Sequence, residues 1–161
     1  MPLSYDTINS PVGKLTIIAS PTTLQSIIWD NLTTPKELTH NTNHPIIAET
    51  KKQLTEYFNN QRQQFDLPLA PIGTPFQQQV WQELLKIPYG ETITYGEQAK
   101  RLGDKNKARA VGAANGKNPI PIIIPCHRVI GSNGKLTGFA GGLNKKSTLL
   151  KTEQSHSIKN C

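Results

Sequence analysis

Cys126, His127 and Arg128 stand in a row at the end of an apolar, proline-spaced run, Asn118-Pro-Ile-Pro-Ile-Ile-Ile-Pro125. A thiol attacks carbon only as its thiolate, and a free pKa near ~8.5 keeps it protonated at neutral pH unless a base or a positive charge stands beside it. His127 and Arg128 supply one neighbour of each kind. Free cysteine is also among the most buried residue types, so a lone one reads first as a small hydrophobe. The residues after Cys126 shift that reading. A core strand would continue apolar, whereas two ionisable residues intervene here before Val129-Ile130, as if the run delivered a thiol to a site.

The elements that must position this segment can be read from periodicity and punctuation. Leu3–Ile8, Lys14–Ala19 and Leu24–Trp29 alternate in polarity and are separated by Pro11-Val-Gly13 and Ser20-Pro-Thr-Thr23, which predicts a short antiparallel meander. A polar stretch, 30–44, comes next. Pro45 then opens a helix with Ile47, Leu54, Tyr57 and Phe58 on one face, ending at Asn59-Asn-Gln61. Pro68, Pro71, Gly73 and Pro75 mark a linker. The organisation expected is an α+β unit over 1–72, a mainly helical unit over 73–155 and a tail over 156–161.

In the second unit, Thr74-Pro-Phe-Gln77 is a capping box with proline at the first helical position, turning Val80, Trp81, Leu84 and Leu85 inward until Pro88. Thr94-Tyr-Gly-Glu97 is a second box, opening a short helix that Gly103 stops, and Lys105–Asn115 forms a third helix rich in Ala and Gly. Two short helices about a glycine turn read as a helix-turn-helix. The small side chains of the second helix bring backbone close to a duplex but offer little to read base edges. Weak sequence preference is therefore expected; by themselves the small residues suit helix packing as well as close approach to the minor groove, where Arg109 is the side chain able to enter the stack.

Charge supports a polyanion-binding face on one unit only. The chain carries a formal +7, yet residues 100–151 hold eleven Lys/Arg against the single Asp104, while residues 1–99 hold six against nine acidic groups. Length allows a real core in one domain or two small ones. No long apolar span or secretory leader pattern occurs, and two cysteines, one of them the terminal Cys161, make no disulfide framework. A soluble, unprocessed, cytoplasmic protein without membrane contact is the expectation.

From Thr74 to Glu153 the chain resembles the O6-alkylguanine-DNA alkyltransferases, or methylated-DNA–protein-cysteine methyltransferases. The resemblance rests on Phe76-Gln-Gln-Gln-Val-Trp81, Ile87-Pro-Tyr-Gly-Glu-Thr92, Thr94-Tyr-Gly96, Ala108-Arg-Ala-Val-Gly112, Asn118-Pro119, Ile124-Pro-Cys-His-Arg-Val-Ile130, Gly141-Gly-Leu143 and Leu149-Leu150. Residues 1–70 match more weakly, through Ser10-Pro-Val-Gly13. It implies a ribonuclease-H-like first unit, no cofactor or metal, and a monomer that binds alkylated double-stranded DNA in the minor groove. It also implies single-use transfer of an alkyl group from O6-alkylguanine, and from O4-alkylthymine, to cysteine.

Position by position, the family pattern makes Cys126 the acceptor, His127 the general base acting through a water, Glu153 the carboxylate that orients the imidazole, and Tyr95 the phenol that donates to the purine. Asn118 braces the active-site turns. Pro121, Val129, Phe139 and Ala140 line the pocket, the last two standing where some members have Tyr and Ser. Arg109 fills the space left by a flipped base, and Gln77, Tyr95 and Ser132 join it in contacting DNA. Three other readings compete: a metal site from Cys126, His127, His40 and His44, a lesion-binding module without chemistry, which Cys126 argues against, and a Cys-His hydrolase.

Overall fold

The computed structural model describes residues 2–29, 37–134 and 142–159. The chain divides into two compact units, Met1–Ile72 and Gly73–Cys161.

In the first unit β1 (Ser4–Ser10), β2 (Gly13–Ala19) and β3 (Leu24–Trp29) form the expected antiparallel meander. Its first turn is closed by Ser10, whose hydroxyl donates to Gly13 O at 2.7 Å and accepts from Val12 N at 3.2 Å. One strand was not foreseen: β4 (Thr39–His40), in the polar stretch, pairs parallel with β1, so the sheet is mixed and runs β3-β2-β1-β4. A two-residue edge strand leaves no alternating pattern to read, and its place is held instead by His40 Nε2, which meets Asp6 Oδ1 at 2.9 Å. Asp6 also accepts from Lys51 of α1 (Pro45–Phe58). Burial of the Asp6 carboxyl alone would raise its pKa, but the Lys51 and His40 hydrogen bonds hold it down at about 2. α1 is capped by His44, which accepts from Ile46 N through Nδ1 at 3.1 Å while Nε2 donates to Ser20 O at 3.0 Å. Both ring nitrogens of His44 are thereby engaged inside this unit.

The second unit holds α2 (Pro75–Leu84), α3 (Tyr95–Arg101), α4 (Ala108–Gly116) and α5 (Leu143–Lys159), with a two-residue parallel ladder of β5 (Ile93–Thr94) and β6 (Val129–Ile130). The capping box of α2 is complete: Thr74 Oγ1 accepts from Gln77 N at 3.1 Å and Gln77 Oε1 accepts from Thr74 N at 2.9 Å. Val80, Trp81 and Leu84 are buried, but Leu85 is 48% exposed, because the helix ends at Leu84 and Leu85 turns away as its cap. At Thr94 only half a box forms; the Glu97 carboxylate reaches Arg101 at 3.2 Å rather than folding back. The third predicted helix starts as a 3-10 turn at Lys105–Lys107, capped by Asp104, before α4 begins. Gly103, at φ 103, makes the reversal between α3 and that turn in a conformation other residues rarely adopt. Backbone of α5 continues to Lys159, into the segment expected as a tail. No helix among the described residues is long and apolar enough to cross a membrane.

Candidate active site

The apolar run before Cys126 is not a strand. It is a tight succession of turns in which every residue from Ile120 to Val129 is buried. Asn118 organises it: its Nδ2 donates to Ile124 O at 2.7 Å and its Oδ1 accepts from Ile120 N at 3.0 Å. Ile122 is held at φ 75, a left-handed conformation costly for a β-branched residue, which only dense packing can sustain. Cys126 N then donates to Ile124 O at 2.8 Å across Pro125, and one 3-10 turn, Cys126–Arg128, carries all three candidate side chains inward.

His127 and Arg128 converge on one carboxylate. His127 Nε2 lies 2.5 Å from Glu153 Oε2, while Arg128 donates through Nε to Oε1 at 2.8 Å and through Nη2 to Oε2 at 3.2 Å. Gly90 N adds a bond to Oε1 at 3.2 Å, and Arg128 Nη1 donates to Ile87 O at 2.6 Å with the Tyr89 ring 5.7 Å from the guanidinium. Burial by itself would push the Glu153 carboxyl up, but the His127 and Arg128 hydrogen bonds hold it at about 2, so it is ionised. Burial lowers the His127 pKa despite Glu153, so the ring is neutral at pH 7. A neutral ring facing a carboxylate through Nε2 must carry its proton there. That leaves Nδ1 as a lone-pair acceptor, and Nδ1 is buried with no hydrogen-bond partner among the described residues.

Burial pushes the Cys126 thiol up to about 11, with the Asn118 side chain and the Lys146 charge pulling the other way. The resting thiol is therefore protonated and must lose its proton during reaction. Lys146 was not foreseen from the sequence. It is wholly buried, and its Nζ donates to Val129 O at 2.6 Å and sits 5.8 Å from the Tyr95 ring centroid. On α5, Lys146, Leu149, Leu150 and Glu153 are all buried, at the spacing of one helical face. The family pattern places Glu153 at the site, whereas for Lys146 the one sequence signal of an inward direction is its registry with the two leucines.

The β5–β6 ladder pairs Ile93 with Val129 and Thr94 with Ile130, which brings Tyr95, first residue of α3, alongside the segment that carries the thiol. Pro121 and Val129 are buried beside that segment; Phe139 and Ala140 lie outside the described residues. Arg109, Ala110, Ala113 and Gly116 form the exposed face of α4, Ser132 is exposed and Gln77 is committed to its capping box. Of the eleven basic residues in 100–151, Arg128 and Lys146 are interior, so the surface charge is less than the sequence count suggests. Among the described residues no group of histidine, cysteine and carboxylate side chains is gathered to hold a metal ion. The two histidines of the alternative metal set that lie far from Cys126 in sequence, His40 and His44, are engaged with Asp6, Ser20 and Ile46 in the first unit.

A buried thiol, followed in the chain by an imidazole whose Nε2 is fixed by a carboxylate, has the composition of a cysteine-dependent group-transfer site. The two units match, in order, the ribonuclease-like domain (residues 3–71) and the DNA-binding domain (residues 75–155) of 6-O-methylguanine DNA methyltransferase. The methylated-DNA–protein-cysteine methyltransferase of Mycobacterium bovis is 48% identical over 154 residues, spanning 95% of this chain and 93% of that protein. That of Methanosarcina barkeri is 47% identical over 156 residues, spanning 94% and 98%. In structure, Mycobacterium tuberculosis O6-methylguanine methyltransferase superposes with TM-score 0.89 at 45% identity over 96% of this chain and 94% of the other, and the crystal structure of the same organism's OGT in complex with DNA gives 0.90 at 46% over 95% and 94%. The chain belongs to the methylated-DNA–protein-cysteine methyltransferase family. It is a DNA-binding methyltransferase of DNA repair.

Proposed function

We propose that the second unit, 73–155, carries out direct reversal of base alkylation, accepting one alkyl group per molecule on Cys126 from O6-alkylguanine, and from O4-alkylthymine, in duplex DNA. The observation that carries this reading is the buried, unpartnered His127 Nδ1 of a ring whose Nε2 is locked to Glu153. Such a ring can take a proton on the side of the preceding residue's thiol, through a water, while the ionised carboxylate stabilises the imidazolium. The thiolate sulfur forms a bond to the methyl carbon as the carbon–oxygen bond breaks. The bond pair stays on the purine oxygen, and the proton taken from the thiol balances it on the base. Tyr95 donates toward the ring as charge develops, and Lys146 offsets the charge of the forming thiolate. The product thioether has no good leaving group, so the site does not regenerate.

A base inside a duplex is unreachable, so it is flipped out, with Arg109 entering the stack from the small-residue face of α4 on the minor-groove side. Gln77 and Ser132 contribute contacts to the DNA, and the protein acts as a cytoplasmic monomer. Intact mass after incubation with duplex carrying O6-methylguanine tests the whole reading. Cys126 should gain one methyl, and Cys126→Ser should gain none while retaining duplex binding. A methyl mapped to Cys161, or product exceeding protein severalfold without a mass change, is the result that would reject it.

A further inference from the structure

Between α3 and α4 lies a pair of carboxamides. Gln98 Nε2 donates to Asn115 Oδ1 at 2.9 Å, and Asn115 Nδ2 donates to Gln98 Oε1 at 2.8 Å. Gln98 is wholly buried and Asn115 is 4% exposed. Two reciprocal bonds satisfy half the capacity of each amide, and their desolvation cancels much of what they contribute, so an apolar pair of similar volume would stabilise the contact comparably. Apolar side chains, however, allow helices to slide and rotate by small amounts. A doubly bonded amide pair fixes separation and rotation together.

The two helices carry different parts of the reaction. Tyr95 begins α3 and is tied through the β5–β6 ladder to the Cys126 segment. Arg109 is on the exposed face of α4, whose buried face presents Val111, Ala114 and Asn115. The Tyr95 ring lies against α4 near Gly112, where an added Cβ would meet it at 3.6 Å. Trp81 Nε1, donating to Ala114 O at 2.9 Å, ties α4 to α2 but not to α3. Gln98 and Asn115 thus form a doubly bonded polar tie between the helix bearing the purine's phenol and the helix bearing the inserting arginine.

We infer that Gln98 and Asn115 form a registry clamp of positioning residues that sets Arg109 relative to Tyr95, so that extrusion of the base and its capture beside Cys126 occur in one geometry. The inference rests on the roles proposed for Arg109 and Tyr95, which Arg109→Ala and Tyr95→Phe test separately when compared with wild type on free base and duplex. Gln98→Leu combined with Asn115→Met replaces the clamp by an apolar pair. The melting temperature and transfer from free O6-methylguanine, which needs no flipping, should stay near wild type, while transfer from duplex DNA should slow on the order of tenfold to a hundredfold, as misplaced reacting groups do. Wild-type duplex repair by this variant would overturn the clamp. Equal slowing on free base and duplex would overturn it too, by showing a purely structural role. If the apolar pair does not fold, Gln98→Asn, which keeps the amide but shortens its reach by one methylene, carries the same comparison with the same two outcomes.

Discussion

At the scale of single residues the site separates three ionisable groups by environment. Glu153 is ionised, His127 neutral and Cys126 protonated, each because burial is opposed or reinforced by a named neighbour. Transfer driven by His127 should then be independent of pH from 7 to 9, without the inflection near ~8.5 that a free thiol would give. It should decline only in acid, below the ordinary histidine value of 6.5, as His127 gains a proton. Single-turnover rates across pH decide this, and an inflection between 8 and 9 would contradict it. Stability changes with the same signs. Glu153 contributes stability present above 4.5, its ordinary value, and lost as pH falls toward about 2. Cys126 acts on the other limb: an unfolded thiol ionises from 9.0, so stability falls as pH rises from there to about 11. Arg128→Ala would leave Glu153 buried beside a weaker partner and orphan Ile87 O, costing about 3–5 kcal/mol. Denaturant unfolding should show that loss, and a loss under ~1 kcal/mol would mean the carboxylate finds water.

At the scale of elements, the start of α2 is where the second unit is most tightly specified. Thr74→Ala removes one bond of the capping box and should cost about 1 kcal/mol. Gly73→Ala should cost more although the position precedes the helix. A Cβ there would lie 2.4 Å from the Trp81 ring and 2.7 Å from Gln77 Oε1. Trp81 cannot yield freely, since it is buried and bonded to Ala114 O. Overpacking of this kind typically costs about 1–3 kcal/mol, so Gly73→Ala should melt below Thr74→Ala; the reverse order would mean the ring relaxes.

For the whole molecule, the consequences to measure are those of its charge and of the thioether proposed to form at Cys126. Duplex binding should weaken with salt by a log–log slope of about −0.9 per phosphate neutralised. Because Arg128 and Lys146 are interior, that slope reports the exposed set, including Lys100, Lys105, Lys107, Arg109 and Lys117. A flat response would remove the polyanion face. Methylation should also lower the melting temperature, since Cys126 sits in a segment buried on all sides, where one added methyl costs about 1–3 kcal/mol. Calorimetry of the free and methylated forms compares the two directly.

Local signals sufficed wherever one residue type has one strong local use. The meander, the α1 and α2 starts and the Gly103 reversal are all set by neighbours within a few positions, and they stand where the sequence places them. Long-range pairing decided the rest. Strand β4 exists because β1 offers an edge and Asp6 a partner for His40, neither visible in the polar stretch itself. The Asn118–Pro125 run shows in sequence only as apolar and proline-spaced; the Asn118 bonds to Ile120 N and Ile124 O coil it into turns. Lys146 and Glu153 point inward, against the habit of charged residues, because Val129 O, His127 and Arg128 wait for them across the fold. Sequence determined which groups could react; only the tertiary contacts fixed their protonation, because desolvation and charge pairing depend on residues distant in the chain.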